Sequence, residues 1–423
     1  MKIAVIGSGI SGLSAAWLLS CSHEVTLFEA EKRLGGHTHT VDITIDGSTH
    51  PVDTGFLVYN DRTYPNLISL FETLGVRWTA SDMSFSVQVE AESLEWAGTD
   101  LASVFAQKRN AFNPRFLGML RAILRFNRQT SELMRDGRAA VGTLGEFLEE
   151  NSYSRAFCDW YLIPMAAAIW STPAQNIRHF PLRTFLRFCH NHGLLQISNR
   201  PRWRSVLGGG REYVNRLASA IKEIRTSSPV ASITRRNEGV VITTALGHSE
   251  SFDEVILACH SDQALSLLTQ PTTQERTILG AIKYQPNVAV LHTDQSFLPK
   301  NRKAWAAWNY HVGAGLPESR PVAVSYLINK LQQVPFKTPV IVTLNPHREP
   351  KPDQVLGTFK YSHPLFDEAA ITAQAQLDLI QGQRHTWFCG AWTRYGFHED
   401  GLLSGIRVAR RLGINTPWQK AEA

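Results

Sequence analysis

The sequence predicts an α/β fold of two domains, one of them built on a parallel sheet of the dinucleotide-binding kind. Three observations carry this. A strand, a glycine turn, a helix and a second strand follow one another between Lys2 and Glu29. Short Val/Ile/Thr-rich runs separated by turn residues fill Val230 to Ala258. The chain then closes on a strand, a loop and a helix from Trp387 to Leu412. A length of 423 residues exceeds what one compact core organises, so a second domain is expected between these blocks.

Each element has a local reason. Lys2-Ile-Ala-Val-Ile6 is apolar throughout, as a strand buried on both faces must be. A helix opens near Ile10 and runs to Leu19, and a strand from Glu24 to Glu29 completes a β-α-β unit of right-handed crossover. Asp82 to Arg138 mixes patterns and contains long amphipathic helical stretches. Asn237-Glu238-Gly239 and Leu246-Gly247-His248 read as hairpin turns, and Glu254 to Ala258 as another buried strand. Val288 to Leu344 alternates strands with proline-rich loops. No internal repeat or low-complexity segment is present.

Composition narrows the class. Apolar residues make up 43% and charged residues 19%, which is ordinary for a soluble globular chain. The five cysteines are scattered and form no C-x-x-C pair. They suit neither a disulfide framework nor a zinc site, and a reducing cytoplasm is expected. The apolar start from Ile3 to Leu19 could pass for a signal-peptide core, but its glycines have a better use and no cleavage-like site follows. No run of eighteen apolar residues exists, so no spanning helix is expected. The net charge of +6 is modest and permits an anionic partner without requiring one.

Gly7-Ser8-Gly9-Ile10-Ser11-Gly12 is a G-x-G-x-x-G directly between strand and helix. Gly7 permits the tight turn, Gly9 lets the backbone approach a pyrophosphate, and Gly12 lets helix and strand pack closely. The helix N-terminus offers unpaired N–H groups and the positive end of its dipole. Glu29 stands seventeen residues past Gly12, at the end of the second strand, where a carboxylate would bind ribose hydroxyls.

Arg33-Leu34-Gly35-Gly36-His37-Thr38 follows that acid, and this stretch separates FAD from NAD. It resembles the R-x-G-G-R-x-x-[ST] run of the amine oxidase and phytoene desaturase superfamily of flavoproteins, with His37 where the superfamily usually has arginine. Asp53-Thr54-Gly55-Phe56 resembles its next flavin-side loop. Trp203 to Leu217 resembles its glycine-rich turn and helix, and Phe388-Cys389-Gly390 with Glu399 to Gly405 its closing motif. The resemblance spans essentially the whole chain. It implies a Rossmann-like FAD-binding domain from residues 1–80, 201–280 and 380–423, and a mixed α+β substrate domain from 81–200 and 281–379. It implies tight, non-covalent FAD held by Gly7, Ser8, Gly9, Ile10, Ser11 and Gly12, by Glu29 and Ala30, and by Arg33, Gly35, Gly36, His37 and Thr38. Thr54, Gly55 and Phe56 follow, then Val230 at the adenine, then Gly390, Asp400, Gly401, Leu402 and Ser404. A helix beginning near Gly401 would aim its N–H groups at the flavin N1–O2 edge and stabilise the reduced form.

The chain also departs from amine oxidases. Asn287 stands at the position of a lysine that many of them carry near flavin N5. His398 stands about where an aromatic ring of their amine-binding cage would be, and Ala391 replaces a glutamate. His398 is the candidate for proton transfer, since an ordinary imidazole titrates near neutrality. Trp305, Trp308, Asn309 and Tyr310 form an aromatic and polar cluster that either lines the substrate pocket or packs a core. Cys389 packs as a small apolar residue more readily than it bonds a flavin.

Two stretches are basic. Val104 to Arg138 holds eight Lys/Arg against two acids, interleaved with bulky apolar residues, and Arg178 to Arg211 holds seven arginines and no acid. They read either as solvated helix faces or as an attachment to anionic lipid headgroups. No nucleic-acid recognition motif is present. The function expected is a flavoenzyme abstracting hydride from a hydrophobic substrate, a lipid acyl chain or isoprenoid, by desaturation, oxidation or isomerisation. Amine or amino-acid oxidation is the alternative enzyme, and a non-catalytic flavin-binding partner of a lipid-modifying complex the alternative of another class. Location is expected in the cytoplasm, with peripheral attachment to the inner membrane face where the basic stretches bind lipid. The sequence is silent on oligomeric state and suggests no metal.

Overall fold

A computed structural model describes residues 1–135, 141–195, 200–313 and 323–418. Its first sheet has five parallel strands in the spatial order Glu223–Arg225, Glu24–Phe28, Lys2–Ile6, Glu254–Leu257 and Thr386–Phe388. The three sequence blocks therefore meet in one sheet. Alternation along the first strand explains the layering. Ile3 and Val5 face a core shared with the helices Ile10–Leu19, Pro65–Leu74, Arg211–Ala218 and His398–Arg411. Ala4 and Ile6 face the opposite core, under a three-stranded antiparallel sheet and the helices Ser261–Leu267, Thr273–Ala281 and Glu368–Gln376. That smaller sheet, Val230–Arg236, Gly239–Thr244 and Ser249–Phe252, has its turns where the sequence signals them, with Gly239 and Gly247 at positive φ.

Most of the remaining strands build a seven-stranded mixed sheet, beside a two-stranded and a three-stranded one. Its order is Val355–Leu365, Lys283–His292, Ile341–Leu344, Ala323–Leu327, Trp308–Val312, Phe85–Val89 and Leu94–Ala97. Only the pair Trp308–Val312 and Phe85–Val89 is parallel. Helices Pro114–Arg135, Leu144–Glu150, Ile163–Trp170 and Leu182–Asn191 share its largest apolar core. Leu182–Asn191 buries Phe185, Leu186, Phe188 and Cys189 on that side and leaves Arg183 and Arg187 exposed.

Two boundaries differ from expectation. The second strand ends at Phe28, one residue early, although the Glu29 N–H still donates to Arg225 O at 2.9 Å. The closing helix starts at His398 and not near Gly401. The Asp400 carboxylate accepts the Phe397 N–H at 3.0 Å, which moves the cap three residues back. Among the described residues no helix is long and apolar enough to cross a membrane. Asp136 and Arg138 of the first basic stretch, and the segment 314–322 between strands, lie outside the described residues.

Candidate active site

The three glycines of the opening turn do different things. Gly7 sits at φ +105°, where a side chain would be strained and would meet Ala258 O at 2.8 Å. A Cβ on Gly12 would lie 1.9 Å from Gly7 O, so helix and strand touch there. A Cβ on Gly9 would meet nothing within 4 Å, because Gly9 faces open space. Gly36, at φ +56°, brings the second glycine pair against it, and a Cβ there would stand 3.1 Å from Gly9 Cα. Glu29 is held in place by Ser8, whose N–H donates to its Oε2 at 2.9 Å and whose hydroxyl donates to the same oxygen.

These groups form one end of a cavity of about 690 Å³. Of the residues expected at the cofactor, the structure places Gly7, Ser8, Gly9, Ile10, Ser11, Glu29, Ala30, Gly35, Gly36, His37, Thr54, Gly55, Phe56, Val230 and Gly390 on its wall, together with the proton-transfer candidate His398. The others stand behind it. Arg33 donates to Thr38 O at 3.3 Å. The Ser404 hydroxyl accepts from Gly390 N–H at 2.9 Å and donates to Gly401 O at 2.7 Å, fixing the turn before the closing helix. Leu402 is fully buried in the core, and a Cβ on Gly401 would press on Ile10 at 2.8 Å. Asp400 serves the helix cap, and burial lifts its carboxyl to about 7. Asp53, beside the Thr54–Phe56 loop, is a buried anchor. Burial raises it to about 6 despite hydrogen bonds from Thr40, Gly210 N–H and Gln332.

His398 differs from its expectation in protonation. Its Nε2 is 2.9 Å from Thr38 Oγ1 and 3.0 Å from Tyr213 OH, and its ring stacks on Phe56 at 3.6 Å. Burial pushes its pKa down to about 3, so the ring stays neutral where an ordinary imidazole would titrate. The ring turned toward the aromatic wall is its neighbour Phe397, stacked on Phe188 at 5.0 Å. Asn287 is buried and off the cavity wall. It donates to His363 Nδ1 at 3.0 Å and accepts from Asn345 at 2.6 Å. Within the aromatic cluster only Trp308 reaches the cavity. Trp305 packs on Leu298, Leu327 and Ile341, Tyr310 lies in the main core, and Asn309 binds Ser86. Cys389 is fully buried, and burial raises its thiol pKa, which disfavours the thiolate.

Sequence reasoning missed most of the remaining wall. Tyr284, Tyr361 and His363 come from two paired strands of the large sheet, Trp170 and Phe188 from the helices Ile163–Trp170 and Leu182–Asn191, and His192 and Leu194 from the turn after the latter. No local motif marks them. His37, His260 and His363 cluster with ring separations of 5.3 and 6.0 Å from His37, and burial lowers the pKa of all three.

The wall suits a dinucleotide. It has an open cradle at Gly9, a carboxylate at the end of the second strand, and on the same wall His37, whose buried Nε2 has no hydrogen-bond partner. A parallel sheet with this turn, and a closing helix packed on the first helix, defines a protein of the dinucleotide-binding flavoprotein class. A family model described as "Flavin containing amine oxidoreductase" matches residues 10–344. The chain belongs to that family of FAD-dependent oxidoreductases, and FAD is its cofactor. An L-amino-acid oxidase of Mus musculus is 27% identical over 320 residues, covering 67% of this chain and 46% of that protein. An L-amino-acid oxidase of Pseudechis australis is 45% identical over 47 residues, 11% of this chain and 9% of that one. The chain thus spans less than half the length of the curated relatives it matches. Among solved structures, putrescine oxidase bound to putrescine has a TM-score of 0.69 at 16% identity, covering 97% of this chain and 99% of that one. A CLA-producing fatty acid isomerase from P. acnes has a TM-score of 0.67 at 15% identity, covering 96% and 98%. At these identities the structures share the fold.

Proposed function

We propose that the chain removes hydride from a hydrophobic substrate, a lipid acyl chain or isoprenoid, in a desaturation, oxidation or isomerisation. The supporting observation is the distribution of charge on the cavity wall. Among the described residues its acids are Glu29 and Glu31, both at the nucleotide end, and no Lys, Arg or Asp lines it. The far wall is made of Met83, Ile169, Trp170, Phe188, Val342 and Leu344, among others. His192 there is held down to about 4 by burial, so it too is neutral. An amino-acid carboxylate would find no counter-charge, whereas an alkyl chain would lose water on every side.

When bound, FAD supplies a two-electron acceptor that takes hydride from a C–H bond. The protein's part is to orient the carbon chain between apolar side chains and to exclude water. His398 remains our candidate for proton handling at the wall, as a neutral imidazole between Thr38 and Tyr213. Gly390, fixed by Ser404, and the N-terminal end of the closing helix, capped by Asp400, would help to hold the flavin when it is bound.

Amine oxidation is the second reading. The rings of Phe397 and Tyr395 lie 5.0 and 5.9 Å from that of Phe188 and could receive a neutral amine. Anaerobic mixing of the FAD-loaded protein with acyl lipids, isoprenoids, amines and amino acids separates the readings. We expect flavin bleaching, or a shifted double bond in the recovered lipid, with hydrophobic substrates alone. Rapid bleaching by a common amine or amino acid would overturn the proposal. No turnover with any of them would favour a non-catalytic flavin partner.

We also propose that the helix Pro114–Arg135 meets an anionic membrane. Arg121, Arg125 and Arg128 are exposed on it beside Leu124, which is 55% exposed, and Phe112, 87% exposed, lies just before it. Part of the basic charge is committed elsewhere: Arg178 pairs with Asp159, and Arg211 with Asp42.

A further inference from the structure

Away from the flavin cavity, the large sheet turns three ligand-type side chains toward one point. Glu90 follows the strand Phe85–Val89 directly. His311 lies on the neighbouring strand, opposite Gln88, and His347 in the loop after Ile341–Leu344. One ligand atom from each residue lies within 4.8 Å of the other two. None of the three lines the cavity.

His311 is the informative member. Its side chain is 10% exposed, and its Nε2 stands 3.0 Å from Glu90 Oε1. Yet that nitrogen makes no hydrogen bond of acceptable direction. The His347 ring meets it edge to face at 4.1 Å. A buried imidazole nitrogen without a well-directed partner costs free energy, and the two groups beside it are both electron donors. A cation at their common point would give the His311 nitrogen a partner.

Among the described residues, several neighbouring charges are committed elsewhere. Arg348, next to His347, is drawn away: it donates to Ser296 and lies over the Phe297 ring at 4.4 Å. Glu92 is taken by Arg115. Glu95 accepts the N–H groups of Lys300 and Asn301. Two imidazoles and one carboxylate form a donor set that suits zinc and its transition-metal neighbours better than calcium or magnesium.

We propose that Glu90, His311 and His347 bind a divalent transition-metal ion of the zinc class, with water completing its coordination. Metal–ligand bonds of about 2.0–2.2 Å place ligand atoms roughly 3.3 Å apart. The Glu90–His311 pair is already near that spacing, and the widest of the three separations must shorten. Glu90, with a 44% exposed side chain, has space to adjust. The bound ion would clasp two strands of the cavity wall near their ends. Trp308 lines the cavity three residues before His311, and Leu344 three residues before His347. Its role is structural, and the inference stands independently of the substrate proposed above.

The test uses the full chain with FAD bound, any purification tag removed, and metal stripped by chelator. Equilibrium dialysis against zinc alone should give saturable binding near one equivalent. Cobalt in its place should develop a visible ligand-field band. Glu90→Gln and His347→Ala should each weaken zinc binding at least tenfold while leaving the flavin spectrum unchanged, since neither touches the cavity. His311→Ala is a third variant, but the first two decide if it folds poorly. Unsaturable zinc uptake by the wild type would overturn the proposal. So would affinity unaltered in both Glu90→Gln and His347→Ala, which would assign the metal to surface groups such as the exposed Cys21.

Discussion

Replacing Gly9 with valine should remove FAD while leaving the fold intact, and the geometry says why both halves hold. Gly9 has φ −63° and ψ 176°, an extended conformation open to any L residue. A Cβ there meets nothing within 4 Å, so the free protein loses no packing. The stability of the cofactor-free chain should change by no more than about 0.5 kcal/mol. The same empty space is where a pyrophosphate must lie to reach the N–H groups opening the helix Ile10–Leu19. Each charge-assisted hydrogen bond to that anion contributes about 1.5–3 kcal/mol. Losing two weakens FAD binding by roughly 3–6 kcal/mol, about two to four decades in Kd. Flavin absorbance of the purified variant and fluorescence titration of the stripped protein measure the effect, and thermal unfolding of both stripped proteins checks the fold. Gly12→Ala is the contrast: its Cβ would stand 1.9 Å from Gly7 O, so the fold itself should suffer. A Gly9→Val protein that purifies yellow at full occupancy would refute the reasoning.

Three further outcomes follow from particular contacts. The imidazoles of His398, His363 and His192, pushed down to about 3, 4 and 4, contribute stability present above about pH 6.5 and lost as pH falls toward their folded values. Each fully depressed group contributes a slope of about 1.4 kcal/mol per pH unit. Asp53 and Asp400, raised to about 6 and about 7, act with the opposite sign, losing stability as pH rises from about 4. The depressed imidazoles are more numerous, so Tm should fall between pH 6.5 and 5, and a flat profile would contradict the burial account. Arg235→Ala strands the Glu275 carboxylate, both side chains being 1% exposed, and should cost about 3–5 kcal/mol in chemical denaturation. In liposome sedimentation, the wild type should bind anionic but not neutral vesicles, and neutralising Arg121, Arg125 and Arg128 should abolish most of that binding at low salt. Equal recovery in the supernatant with both vesicle types would remove the membrane proposal.

What the sequence by itself determined lies in stretches of a few residues. The glycine turn and Glu29, the alternation of Ile3, Val5, Ala4 and Ile6 between two cores, and the hairpins after Val230 are short-range consequences of backbone freedom and side-chain period. Only the tertiary structure decided what lies opposite them. His398 is a case in point. Its identity suggested a group titrating near neutrality, but partners hundreds of residues away in the chain, Thr38 and Tyr213, and the Phe56 ring bury it and hold it neutral. Phe397 took the place facing the aromatic wall because the closing helix begins at His398, and one residue of helix turns a side chain by about 100°. Asn287, Tyr361 and His363 meet through the pairing of Lys283–His292 with Val355–Leu365, whose register no local motif announces. The substrate wall was illegible for the same reason: strands and helices from separate parts of the chain each contribute a few side chains, and the contacts that join them are long-range. A local pattern can specify an element and the face it buries, but which other face closes over it depends on the packing of the whole chain.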